Sequence, residues 1–334
     1  MIQVAGGRDA ISYLKLARKL SALAVLGSFA YIGVGLLSLP LRWYQVHMHF
    51  MGMGVASFAA GVNISFWTSV TRRRGSVLAA LLHSLSLLLL PLGSLLGWGT
   101  VTIAFVSLTG LFFLIPLRKR SLIYLLELYS FLSLLSTALI SYQGMEVWIT
   151  AVEWAHPVPL IYAVTLHALP KTYRYRASLP LTILMTALHA LALSGFGPSR
   201  HLMWASMLSY LGAARLDLAL RGLRSVRVRE ALPAHRYLIA GYLLLIPLLI
   251  PSWFMPVNSL GLLHILLLGF VGLHIYAHAP MMIPVLLGIR NAKRFNYSAL
   301  LLLLLAALSW PFNRDVALYF LSGSLFLVIY IVKP

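Results

Sequence analysis

Apolar runs of about twenty residues follow one another along this chain, each closed by a short polar or basic turn. A helix that crosses a hydrocarbon core needs about 20 predominantly apolar residues. Runs of that kind predict helices near 20–40, 44–69, 75–95, 97–117, 121–142 and 147–170. The second half predicts six more, near 178–196, 201–220, 235–252, 258–288, 296–312 and 315–333. The fold class is therefore all-α: a polytopic integral membrane protein of about 12 transmembrane helices, one helical domain over residues 1–334. No internal duplication or soluble domain stands out.

The basic residues give an independent check, because cytoplasmic loops collect Lys and Arg. Of the 26, only Arg42, Arg200 and Arg314 fall on one side of the expected topology, and the other 23 fall on the opposite side. They cluster at Arg8–Lys19, Arg72–Arg74, Arg118–Arg120, Lys171–Arg176, Arg215–Arg236 and Arg290–Arg294. A missed or invented span would scramble that alternation. Both termini are expected on the inner face of a prokaryotic plasma membrane. The first residues read as a short basic lead-in to the first span, with no cleavable signal.

Composition agrees. The chain is 60% hydrophobic and 10% charged, with a mean hydropathy of +0.89, whereas a soluble surface needs about a quarter of its residues charged. The net charge of +19 is spread between apolar segments rather than gathered in a patch, so the partner it implies is the lipid bilayer and not nucleic acid. There is no cysteine. Disulfides, iron–sulfur clusters, thiolate-held metals and covalently attached haem are thereby excluded.

Eleven histidines then become the inventory of candidate chemistry, since ionisable groups inside a bilayer are costly. His201 and His235 lie at helix ends, and His167 reads as reaching back to the inner interface. The stretch YQVHMHFMGMG (44–54) places His47 and His49 at the mouth of the second span. At about 100° per residue they point almost oppositely, so they address different neighbours. Gly52, Gly54 and Gly61 let another helix or a flat ligand approach the backbone.

The tenth span (LHILLLGFVGLHIYAHAPMMIPVLLG) carries His264, His274 and His278 within roughly an 80° sector of an ideal helix. His274 and His278 are one turn apart, with Tyr276 between them as a second-shell or relay group. In the sixth span Glu153 and His156 share a face three residues apart, suited to orienting an imidazole or passing protons. His83 and His189 are single mid-span histidines and read first as interhelical hydrogen-bonding residues. His156, His274 and His278 are the candidate metal ligands. His47, His49, His264, His274, His278 and His156 are the candidates for binding a cofactor, with His264 facing His47 or His49 near the outer side. Neutral imidazole suits haem iron and copper.

The segment WYQVHMHFMGMGVASFAAGVNISFWTSVTRRRG (43–75) resembles the early part of NnrS-type membrane proteins. That group has twelve helices and is associated with haem, copper and the nitric oxide response. The His-x-His motif, the glycine-rich helix, Trp67-Thr68 and the basic turn carry the likeness, as does the stretch 264–290. Where the family pattern has an acidic residue after His-x-His, this chain has Phe50. A more distant likeness, to haem–copper oxidases, rests on AHPVPLIY with His156 in the copper-ligand position. The adjacent His-His pair of their seventh helix is missing, with only His189 there, so an intact copper-coupled oxygen-reducing centre is not implied.

The resemblance implies an integral membrane haem protein, or haem and copper protein, that binds or handles nitric oxide or another small diatomic, or electrons. The alternative is a proton-coupled or metal or haem transporter with a midplane site on broken helices six and ten.

Overall fold

The computed structural model describes residues 7–65, 77–115, 121–139, 154–194, 199–222, 236–244, 259–277 and 296–332. Helices stand at the predicted positions, and there is no strand among the described residues. They are α1 (Gly7–Ser38), α2 (Tyr44–Ser65), α3 (Val77–Leu95), α4 (Gly99–Leu114), α5 (Leu122–Leu139) and α6 (Pro157–Tyr173). There follow α7 (Leu179–Leu193), α8 (Ser199–Ala213), α9 (Leu216–Gly222), α10 (Ser259–Leu266), α11 (Tyr297–Ser309) and α12 (Arg314–Val332), with a further helical stretch at 236–244. Helix α10 runs into a π turn, Leu267–Val271, and α-helix resumes through residue 277.

Several boundaries differ from the apolar reading, two of them as follows. Helix α1 starts at Gly7, so the basic lead-in is itself helical, with Lys15 and Lys19 exposed. The eighth predicted span is two helices, because Arg215 has φ of 49°, a left-handed conformation that cannot continue a right-handed helix.

The chain divides into two compact units, Met1–Val164 and Thr165–Pro334. In the first, α2 packs between α1 and α3, and α4 and α5 follow as successive neighbours. Small residues permit the close approach: a Cβ on Gly54 would lie 3.1 Å from Ile32, and one on Gly61 3.1 Å from Val25, both on α1. Proline supplies another joint. Pro91 lacks the N–H that would pair with the Leu87 carbonyl, and the Ser57 hydroxyl on α2 donates to that carbonyl at 2.8 Å. Tyr31 on α1 donates to the next carbonyl, Leu88, at 2.6 Å.

In the second unit α7 packs on α8, and α11 packs on α12 and on α10 with its π turn. Ser206 donates across to Met185 at 2.8 Å and Ser324 to Ala299 at 2.6 Å. Asn296 and Asn313 cap α11 and α12 by accepting backbone N–H bonds.

Two helices carry exposed apolar stripes over buried polar side chains. Along α3, Leu78, Leu81, Leu85, Leu89 and Leu92 are exposed while His83, Ser84, Ser86 and Ser94 are buried. Along α4 the exposed stripe is Val101, Phe105, Leu108, Phe112 and Ile115, with Ser107 and Thr109 inside. Leu78–Leu95, of mean hydropathy 1.9, is the one helix among the described residues long and apolar enough to cross a membrane. Gly99–Leu114, Leu179–Leu193 and the other apolar helices described are shorter.

Candidate functional site

Helix α5 organises the most polar part of the first unit's interior. Glu127, Ser130 and Phe131 are buried, and their spacing of three and four residues sets them on one helical face. Ser130 reaches the residue just ahead of α6. There Trp154 and Ala155 are helical, His156 forms a turn, and Pro157 begins the next helix. Pro157 and Pro159 cannot donate backbone bonds, which is why the ladder breaks at this histidine.

The Ser130 hydroxyl has one proton and donates it to the His156 carbonyl at 3.0 Å. Its oxygen therefore accepts from the His156 ring, whose Nδ1 lies 2.8 Å away. With that donation made, the ring proton sits on Nδ1 and Nε2 keeps a bare lone pair. That nitrogen is buried and has no hydrogen-bond partner, and the residue is fully buried.

His83 on α3 repeats the arrangement. The Thr109 hydroxyl on α4 donates along its own helix, to Phe105 at 2.8 Å. Its oxygen then accepts from His83 Nδ1, 3.2 Å away. Ser86 sits 2.9 Å from the same oxygen. His83 Nε2 is likewise buried and without a partner.

The Phe131 ring stands against both imidazoles, with centroids 5.3 Å from His83 and 4.8 Å from His156. Phe113 stacks on the outer side of His83 at 6.1 Å. Gly110 makes room for this, since any Cβ there would run into the Phe131 ring. The hydrogen-bonding role expected of His83 is thus present on one nitrogen, while the other stays open. Sequence reasoning weighed His83 alone and passed over Ser130, Thr109 and Phe131. The signal available was their buried-face spacing with Glu127, but nothing in the sequence pairs α5 with residue 156.

His47 and His49 diverge as their spacing requires. His47 Nδ1 donates to the Gly35 carbonyl on α1 at 2.9 Å, and His49 bonds Ser94 on α3 at 2.6 Å. Both belong to the first unit and His264 to the second, and each is described within its own unit. His264 is stacked on Trp310, with centroids 4.1 Å apart and planes within 8°.

His274 uses both nitrogens. Nδ1 donates to the Phe270 carbonyl at 2.7 Å. Nε2 accepts from the Tyr242 hydroxyl at 2.6 Å, and Tyr242 is bonded in turn to the Tyr210 hydroxyl at 2.5 Å. In this arrangement neither nitrogen has a lone pair open to a metal. The π turn also advances less than 100° per residue, so the shared sector computed for His264 and His274 on an ideal helix does not carry through. Tyr276 is buried beside Ser324. Glu153 and His278 lie outside the described residues.

Haem iron and copper both bind neutral imidazole through a bare ring nitrogen, and the open Nε2 atoms of His83 and His156 fit that demand. Among the described residues no three His, Asp or Glu side chains converge as metal ligands. A four-coordinate site built from protein side chains is therefore not formed there. Comparison with known proteins gives no further guide: no family model, curated protein or solved structure matches this chain.

Proposed function

We propose that this chain is a multi-pass integral membrane protein of the NnrS-like kind, with both termini on the cytoplasmic side. In this reading it holds haem, or haem and copper, through buried imidazoles, and handles nitric oxide, another small diatomic, or electrons. The observation that carries the metal is His156, whose ring is fixed with an open nitrogen in a fully buried position. The pattern of an Nδ1–H held by an oxygen with Nε2 free is that of a ligand histidine. What supports the bilayer is the exposed leucine and phenylalanine stripes on α3 and α4 over buried serines and histidines.

A bound haem or copper would supply reversible ligand binding or one-electron chemistry. The chain's own part is to fix the imidazoles, exclude water, and surround them with Phe131 and Phe113.

Detergent-purified protein, as isolated and after dithionite reduction, is expected to show a Soret band, with iron or iron and copper by elemental analysis. Absence of the band and of both metals defeats the reading. A transporter is the second reading, favoured by the helix break at His156. Solute uptake into proteoliposomes by colourless, metal-free protein would select it.

A further inference from the structure

Two buried imidazole nitrogens without a hydrogen-bond partner, on rings packed against one phenylalanine, are an unusual arrangement, because buried polar atoms are nearly always paired. His83 and His156 come from α3 and from the turn before α6, far apart in sequence. The Nδ1 of each lies within hydrogen-bond distance of a hydroxyl that also donates to a backbone carbonyl. Neither hydroxyl can turn its proton toward the ring without giving up that bond. Both Nε2 atoms are fully enclosed, and the Phe131 ring touches both imidazoles. The rings therefore lie within about 10 Å of one another, and two imidazoles on one ion need their centres about 6 Å apart.

We propose that His83 and His156 together hold one copper(I) ion beside the Phe131 ring. Coordination number selects the metal. Zinc asks for four ligands, and no third His, Asp or Glu joins these two among the described residues. Copper(I) is satisfied by two imidazoles in line. Charge selects it as well: a monovalent ion costs far less than a divalent one in an interior this apolar, and an aromatic face offsets part of that cost. Gly110 lets Phe131 lie against α4. The proposal rests on the copper part of the reading above and is independent of its haem.

The test uses the full chain in detergent, reduced with ascorbate under argon, loaded with copper(I) and dialysed against a copper(I) chelator. One copper per chain is expected to resist the chelator, and its X-ray absorption spectrum is expected to show two nitrogen ligands with imidazole scattering. His83→Gln and His156→Gln should each weaken copper(I) binding by more than about 100-fold, beyond what loss of an outer partner does. His189→Gln, buried in the other unit, should leave it unchanged. The spectrum of the unaltered protein needs no variant, so a folding failure in either substitution does not spare the proposal. Copper retained by the double variant, or a spectrum without imidazole scattering, overturns it. A Soret band with no chelator-resistant copper also overturns it, leaving the haem reading standing. Copper without haem supports it and removes the haem.

Discussion

Ser130 meets His156 twice: its hydroxyl donates to the backbone carbonyl at 3.0 Å and its oxygen receives the ring Nδ1–H at 2.8 Å. One side chain thus holds both the ring and the backbone of a residue at a helix break.

Ser130→Ala removes both bonds at once. The buried ring N–H loses its partner, which costs about 1–3 kcal/mol, while the His156 carbonyl keeps its bond from the Leu160 N–H at 3.3 Å. Metal affinity at His156 should fall about 10–100-fold, since the imidazole is no longer oriented. Ser130→Thr, which keeps the hydroxyl, should restore most of both. Thermal unfolding in detergent and chelator competition measure the two effects; unchanged values for Ser130→Ala would remove Ser130 from the site.

Nitrogen NMR of histidine-labelled protein, prepared without metal, checks the tautomers directly. His156 and His83 should carry the proton on Nδ1. So should His47 and His274, whose Nδ1 atoms face carbonyls that can only accept. An Nε2–H form at His156 contradicts the assignment of its open nitrogen.

Gly110→Ala introduces a methyl where the Phe131 ring lies. Overpacking of this kind costs about 1–3 kcal/mol, and the ring must move toward the two imidazoles. Phe131→Leu in the same chain should recover much of the loss. A Gly110→Ala protein as stable as the parent would mean that the ring is not seated on α4.

Leu89→Arg separates bilayer from water as the medium around α3. Leu89 is 52% exposed, and a surface substitution in water changes stability by only about 0.5 kcal/mol. Facing hydrocarbon, the same change costs about 2.5–3.5 kcal/mol. Membrane-fraction yield and unfolding of the variant decide between the two, and a neutral outcome removes lipid from that face.

The positions of the helices were legible because apolar runs and their polar turns are local properties. The divergence of His47 and His49 was legible for the same reason, as two residues on one helix obey a fixed angle. The partnership of His83 with Thr109, and of His156 with Ser130, was not. It depends on which helices become neighbours, and serine and threonine are too common in these helices to signal it. His274 reads in sequence as a candidate ligand, yet Tyr242, itself bonded to Tyr210, occupies its open side. The role of Pro91 was similarly hidden: its missing N–H matters only because Ser57 stands opposite the carbonyl it leaves behind. The π turn has no sequence mark at all, and it alone invalidated the ideal-helix geometry of the tenth span.

That turn also sets where this helix can change length. The Gly272 N–H reaches back five residues to Leu267, so the turn holds one residue more than an α-helix would. Deleting one residue between Leu267 and Val271 would absorb the excess and keep His264 and His274 on their present bearings, toward Trp310 and Tyr242. The same deletion in the regular helix on either side would swing one histidine from its neighbour by about 100°. Between its two described histidines, the tenth helix thus tolerates a deletion at this turn and not in the regular helix beside it.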